Sequence, residues 1–191
     1  MKAMKKTLVL LSLAALLVIS ACGSSKSAEP NETNKGAQSG GQNSHAGMDH
    51  SSSSGAPEGM REASSPTFPV GSKAVIADSH MSGMEDAETT IAGAYDTTVY
   101  TVSYTPVTGG ERVTDHKWVV HEEIKGAGNE PFKPGDEVVL DADHMPGMEG
   151  ATAKIDSAKQ TTVYMVDFTS TTTGEEVKNH KWVTEEELAL P

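Results

Sequence analysis

The sequence predicts an all-β protein made of two tandem copies of one small domain. Three observations carry this: a gapless internal repeat, a strict two-residue alternation within it, and glycine-rich turns between its apolar runs. Gly71-Ser-Lys-Ala-Val-Ile-Ala-Asp-Ser-His-Met-Ser-Gly-Met-Glu aligns with Gly135-Asp-Glu-Val-Val-Leu-Asp-Ala-Asp-His-Met-Pro-Gly-Met-Glu. Thr97-Thr-Val-Tyr aligns with Thr161-Thr-Val-Tyr, and Asp115-His-Lys-Trp-Val with Asn179-His-Lys-Trp-Val. Every pair stands 64 positions apart (135 − 71, 161 − 97, 179 − 115). A repeat of this length reads as two domains rather than a solenoid.

Within each copy the elements follow in order. Lys73 to Ala77 and Glu137 to Asp141 are short apolar strands. From Thr97 to Thr105, Val99, Thr101 and Ser103 alternate with Tyr100, Val102 and Tyr104, the pattern of a half-buried strand. Thr108-Gly-Gly and Thr173-Gly174 supply hairpin turns. Lys117 to Val120 and Lys181 to Thr184 close each copy, followed by a short helical turn at Glu122-Glu-Ile and Glu185-Glu-Glu-Leu. About five strands in about 55 residues suggest a small SH3-like barrel, marginal in size without a strong anchor. Trp118 and Trp182, one per copy, are the expected core anchors.

Ahead of the repeats lies a different kind of chain. Lys2, Lys5 and Lys6 precede an apolar run from Thr7 to Ile19, and Ile19-Ser-Ala-Cys22 follows. The run is shorter than the ~20 apolar residues that span a bilayer. Residues 1–21 therefore read as a lipoprotein signal peptide, with Cys22 acylated and becoming the mature N-terminus. Two or three acyl chains, palmitate among them, hold far better than one. The expected location is the extracytoplasmic face of the cell membrane, reached through the lipid anchor. Residues 22–66 are rich in Ser, Gly, Ala, Asn, Glu and Pro, and read as a disordered stalk. Its reach as a flexible coil is roughly 35–40 Å. The repeats then occupy 67–126 and 131–191, joined through Gly126-Ala-Gly-Asn-Glu-Pro.

Composition narrows the chemistry. The formal net charge is −12; without the three signal lysines the mature chain carries −12 − 3 = −15. Nucleic acid is a poor partner for such a surface, because phosphate binding needs a basic face. Cys22 is the only cysteine, so the repeats have neither a disulfide nor a thiolate. Sequence motifs for nucleophilic catalysis, nucleotide binding and zinc proteolysis are missing, and acidic pairs such as Glu122-Glu123 read as solvated surface. The expectation is a protein that is not an enzyme.

The residues that stand out are methionine and histidine. Each copy carries His-Met-x-Gly-Met in the loop after its first strand: His80, Met81 and Met84, then His144, Met145 and Met148. Glycine lets such a loop turn tightly, so an imidazole and two thioethers could converge. Soft thioethers with borderline imidazole suit Cu(I), and Ag(I) less well; zinc prefers thiolate or more histidines, calcium only oxygen. Methionine is also a flexible core filler, and for a single copy that bland reading leads. Yet four of the seven methionines outside the signal (9 − 2) lie in these loops. The stalk repeats the chemistry with His45, Met48, His50 and Met60, where no core is expected. His116 and His180, which open the His-Lys-Trp-Val strands, are either further ligands or strand caps beside tryptophan. His121 corresponds to Glu185 in the other copy and is not asked for by the repeat.

These motifs resemble the YdhK family, a domain of unknown function that occurs in tandem on bacterial surface lipoproteins. The resemblance rests on His80-Met-Ser-Gly-Met-Glu-Asp-Ala, His144-Met-Pro-Gly-Met-Glu-Gly-Ala and the two His-Lys-Trp-Val segments, and covers about residues 68–188. Some members of that family are copper-binding lipoproteins that act beside copper-exporting ATPases in copper resistance. The resemblance thus implies sequestration or transfer of Cu(I) outside the membrane, with such an ATPase as partner. The runner-up is a cell-wall module that binds peptidoglycan peptides through an exposed aromatic groove; aromatics are only 5% of the chain. A metal-dependent enzyme would need an open coordination position, which sequence does not display.

Overall fold

A computed structural model describes residues 55–191. The signal, Cys22 and the candidate ligands His45, Met48 and His50 lie outside the described residues. Among the described residues, no helix is long and apolar enough to cross a membrane.

The described chain is built almost wholly of strands: β1 (Arg61–Glu62), β2 (Lys73–Ile76), β3 (Glu88–Tyr104), β4 (Val113–Val120), β5 (Glu137–Val139), β6 (Thr152–Thr169), β7 (Glu176–Thr184) and β8 (Leu188–Ala189). Single 3₁₀ turns at His121–Glu123 and Glu185–Glu187 stand where short helical turns were expected. The all-β class and the tandem arrangement agree with the sequence. β3 is far longer than the alternating run that marked its C-terminal half, because it extends back through Glu88–Asp96, and β6 likewise extends back from Thr161 through Thr152–Gln160.

β3 and β6 pair antiparallel along nearly their whole length, from Thr89↔Phe168 through Thr97↔Thr161 to Tyr104↔Ala153. The equivalent threonines Thr97 and Thr161 face each other, so the two repeats are related by a local pseudo-twofold at the middle of this ribbon. The expected alternation holds on β3, but neither face is left to solvent. Tyr100, Val102 and Tyr104 join one hydrophobic cluster and Val99 another. Thr101 and Ser103 are buried too, and their hydroxyls bond Ser157 and Asp156 on β6.

The packing unit is not the sequence repeat. One cluster joins Ala74, Ile76, Met84 and Ile91 of the first repeat to Tyr164, Val166, Phe168, Val183 and Leu188 of the second. Its counterpart joins Tyr100, Val102, Tyr104, Val119 and Ile124 to Val138, Leu140, Met145, Met148 and Ile155. Each lobe thus takes the front half of one repeat and the back half of the other. Edge pairings follow the same exchange: β2 pairs with β8, and Leu140 bridges to Ile124. Trp182 is fully buried between the lobes with Val99, Val120, Val163 and Met165, and Trp118 packs against that cluster half-buried.

The sheet also begins upstream of the expected boundary. Arg61 and Glu62 pair with Asp96 and Tyr95, inside the segment read as stalk. Met60 packs against the central cluster, as Tyr95 and Trp118 do, so a core does reach this methionine after all.

Candidate functional site

The His-Met-x-Gly-Met loops are held by the opposite repeat. Gly83 and Gly147 adopt positive φ (85° and 77°), open to glycine at little cost. The Gly83 carbonyl accepts from Thr171 N–H at 2.9 Å, and the Gly147 carbonyl from Val107 N–H at 2.9 Å. A Cβ on Gly83 would stand 2.3 Å from Ser170 Oγ, and one on Gly147 would stand 2.5 Å from Thr108 Oγ1. Each loop is therefore clamped under the β-hairpin of the other copy.

This seating divides the methionines. Met84 and Met148 are fully buried and belong to the lobe cores. Met81 is only partly buried, whereas Met145, 8% exposed, is a buried member of a lobe core. Met81 and Met145 line a common cavity of about 340 Å³ with His80, His116, Val113, Thr114, Asp115 and Lys117. The two loops thus meet at one place. His80 and Met81 also bound a more open depression on the outer side of their loop, with Glu85, Asp86, Thr171 and Thr172. His180 stacks on His80 (ring centroids 5.9 Å apart) and His144 lies tilted against His116 (6.3 Å). The four histidines therefore come in two neighbouring pairs, each pair mixing the repeats. Among the described residues no group of three or more His, Cys, Asp or Glu has metal-binding geometry. The soft and borderline donors on its wall are two imidazoles and two thioethers, with the Asp115 carboxylate and the Lys117 ammonium beside them.

Behind the histidines sit two carboxylates that the sequence reading assigned to solvent. Glu123 and Glu187, again 64 positions apart, are only 3% exposed each. The reason is local: the 3₁₀ turn rolls its third residue back under the strand, where backbone and indole N–H groups require an acceptor. Glu187 Oε2 accepts from Thr184 N–H, Thr184 Oγ1 and Trp118 Nε1–H, each at 2.8 Å. Its Oε1 lies 3.1 Å from His80 Nδ1. Glu123 Oε2 accepts from Val120 N–H (3.2 Å) and Trp182 Nε1–H (3.0 Å), while Oε1 lies 2.7 Å from His144 Nε2. Burial alone would raise the Glu187 carboxyl. The His80 hydrogen bond and charge, with the two Thr184 donors, outweigh it and hold the group below its usual range. The side chains of His80 and His144 are 7% and 9% exposed. The ring nitrogens that do not face glutamate, His80 Nε2 and His144 Nδ1, are buried without a hydrogen-bond partner.

The remaining expected residues are plainly placed. His116 and His180 pair with Val102 and Val166, and pack edge-on to Tyr104 and Phe168. In both His-Lys-Trp segments the Lys–Trp peptide is cis, and Asp115 and Asn179 ahead of it have positive φ (50° and 51°). His121 Nδ1 is hydrogen-bonded to the Tyr100 hydroxyl (2.9 Å), a place taken by Glu185 against the Tyr164 hydroxyl (3.0 Å) in the other copy. That shared structural task explains why the repeat tolerates either residue there.

A tandem of exchanged β repeats with paired histidine-methionine loops defines a class of protein, and comparison with known proteins gives it a family. The chain belongs to the DUF1541 family, described as a protein of unknown function, whose pattern matches residues 70–121 and 134–185. It is 55% identical over 189 residues to the uncharacterized protein YdhK of Bacillus subtilis (strain 168), covering 99% of this chain and 91% of that one. The crystal structure of a DUF1541 family protein (ydhK) from that organism, at 2.00 Å resolution, is 62% identical with a TM-score of 0.74. It covers 77% of this chain and all of the crystallised one. A solution structure of the ydhK C-terminal domain is 66% identical with a TM-score of 0.62, covering 64% of this chain and 92% of its own.

Proposed function

We propose that this chain is a membrane-anchored copper-binding lipoprotein that holds Cu(I) outside the cell membrane, sequestering it or handing it on. Cys22 carries the lipid anchor. His80, Met81, His116 and Met145 are the ligands, drawn from both repeats. The single observation that supports the metal site is their meeting in one cavity. Two thioethers with two imidazoles form a soft, uncharged donor set, which favours Cu(I) over Zn(II); the single carboxylate on the same wall, Asp115, falls short of the roughly six to eight oxygens that Ca(II) takes. Met84 and Met148 hold the loops in place as core residues, and His144 and His180 flank the site. The resemblance to copper-resistance lipoproteins adds the partner, a copper-exporting ATPase beside which a tethered protein would take up the ion.

The test is a parallel titration of the full chain with Cu(I), Zn(II) and Ca(II), with His45, Met48 and His50 replaced by alanine. The expected result is tight binding of Cu(I), weaker Zn(II) and no Ca(II). Loss of Cu(I) binding in His80→Ala/His116→Ala, with the fold retained, supports the cavity. Equal binding of Cu(I) by parent and double variant, or no Cu(I) binding by the parent, refutes it.

A further inference from the structure

The two buried glutamates are joined to the candidate ligands by geometry that sequence analysis passed over, and they differ in what they govern. A carboxylate only accepts hydrogen bonds. Facing the Glu187 carboxylate at 3.1 Å, the neutral ring of His80 must carry its proton on Nδ1. Nε2 then keeps its lone pair, and that atom is buried without a partner on a ring that lines the cavity. We propose that Glu187 is a positioning residue that fixes the tautomer and orientation of His80, so that Nε2 is presented to a soft metal ion. The metal part of this proposal rests on the copper reading; the tautomer part does not. An outer partner that orients a ligating imidazole in this way commonly governs metal affinity by ~10–100-fold.

Glu187 is itself held from the far side. Trp118 belongs to the first repeat, like His80, whereas Glu187 and Thr184 belong to the second. The contact therefore ties the ligand to both copies. Glu123 makes the equivalent contacts to His144 and Trp182, but through His144 Nε2, and His144 does not line the cavity. It serves as an internal control with the same chemistry and no expected effect on the metal.

The geometry makes Glu187→Gln unusually informative. Three donors crowd the Oε2 position, so the amide must place its oxygen there to avoid unsatisfied N–H and O–H groups. The amide NH₂ then faces His80 Nδ1, which has to become an acceptor. The proton moves to Nε2 and the lone pair is lost to the cavity.

The experiment is long-range ¹H–¹⁵N NMR of the histidine rings in the metal-free full chain at about pH 9, above the ordinary imidazole range. His45, Met48 and His50 are replaced throughout. The parent should show His80 as the Nδ1–H tautomer and Glu187→Gln should show Nε2–H, with Cu(I) affinity lowered about ten- to a hundredfold. Glu123→Gln should switch His144 from Nε2–H to Nδ1–H and leave Cu(I) affinity within about threefold. An Nε2–H tautomer at His80 in the parent overturns the proposal, and that measurement decides even where a variant fails to fold. Retention of Nδ1–H in a folded Glu187→Gln chain overturns it as well. If the tautomers behave as expected and the parent binds no Cu(I), the positioning role is upheld and the copper reading alone fails.

Discussion

Exchange of methionines in pairs separates packing from ligation. Met84 and Met148 are fully buried, one in each lobe core, whereas Met81 and Met145 line the shared cavity. Leucine conserves volume to a first approximation, and such swaps usually cost less than about 1.5 kcal/mol each. The two core sites lie in separate clusters, so their costs should add, to at most about 3 kcal/mol. Met84→Leu/Met148→Leu should therefore lower thermal stability measurably and leave Cu(I) affinity within about threefold. Met81→Leu/Met145→Leu removes two of four proposed donors, one partly buried and one buried in a lobe core. It should cost about 1.5 kcal/mol or less in stability, chiefly at Met145, and lower Cu(I) affinity at least about tenfold, or ~1.4 kcal/mol. The assay is competition against a chromophoric Cu(I) chelator, with thermal unfolding of the metal-free proteins alongside and the three upstream candidates replaced in all. Equal affinities for parent and cavity pair would refute the assignment of Met81 and Met145. Loss of binding in the core pair alone would move the site into the lobes.

Three further outcomes follow from the same contacts. The Glu187 carboxyl is held below its unfolded value, so its stabilisation is present above the ordinary carboxylate range and is lost as pH falls through the lowered folded value. Metal-free stability should fall below about pH 4.5, and Glu187→Gln should flatten that slope; an unchanged slope contradicts the pairing. Gly83→Ala or Gly147→Ala should destabilise by at least about 1–2 kcal/mol, from the left-handed backbone alone, plus the clash with Ser170 or Thr108; denaturant midpoints equal to the parent's would contradict the clamped loops. Cys22→Ala should release the protein from membranes in cell fractionation without altering the fold of the repeats, and an intact mature chain still pelleting with membranes would place the anchor elsewhere.

What the sequence made legible was whatever depends on local pattern. Alternation from Val99 to Tyr104 marked a strand, and Glu122-Glu-Ile marked a turn. The 64-residue spacing marked the duplication. Partner choice was not legible, for a physical reason. Repeats that share one hydrophobic pattern offer each strand two similar partners, so Ile76 could close against its own repeat's end or against Leu188, and that pattern does not distinguish them. The exchange follows the long β3–β6 ribbon, in which the first half of each strand carries no strong alternating signal. The buried glutamates were hidden by the ordinary expectation that carboxylates face water. A signal was present nonetheless: Glu123 and Glu187 repeat, whereas the neighbouring position changes from His121 to Glu185. Each tryptophan, Trp182 buried and Trp118 half-buried, also needed an acceptor for its indole N–H. The adjacent Met81/Met84 and Met145/Met148 pairs could not be resolved into cavity and core without knowing which hairpin clamps each loop.

X-ray absorption at the copper edge most directly tests for the proposed single Cu(I) site shared by both repeats. The full chain, with His45, Met48 and His50 replaced, would be loaded with one equivalent of Cu(I). The expected spectrum is that of Cu(I) with nitrogen and sulfur scatterers together in its first shell, the sulfur contribution vanishing in Met81→Leu/Met145→Leu and surviving in Met84→Leu/Met148→Leu. A first shell of nitrogen and oxygen alone in the parent, or a sulfur contribution that persists in the cavity pair, would contradict it.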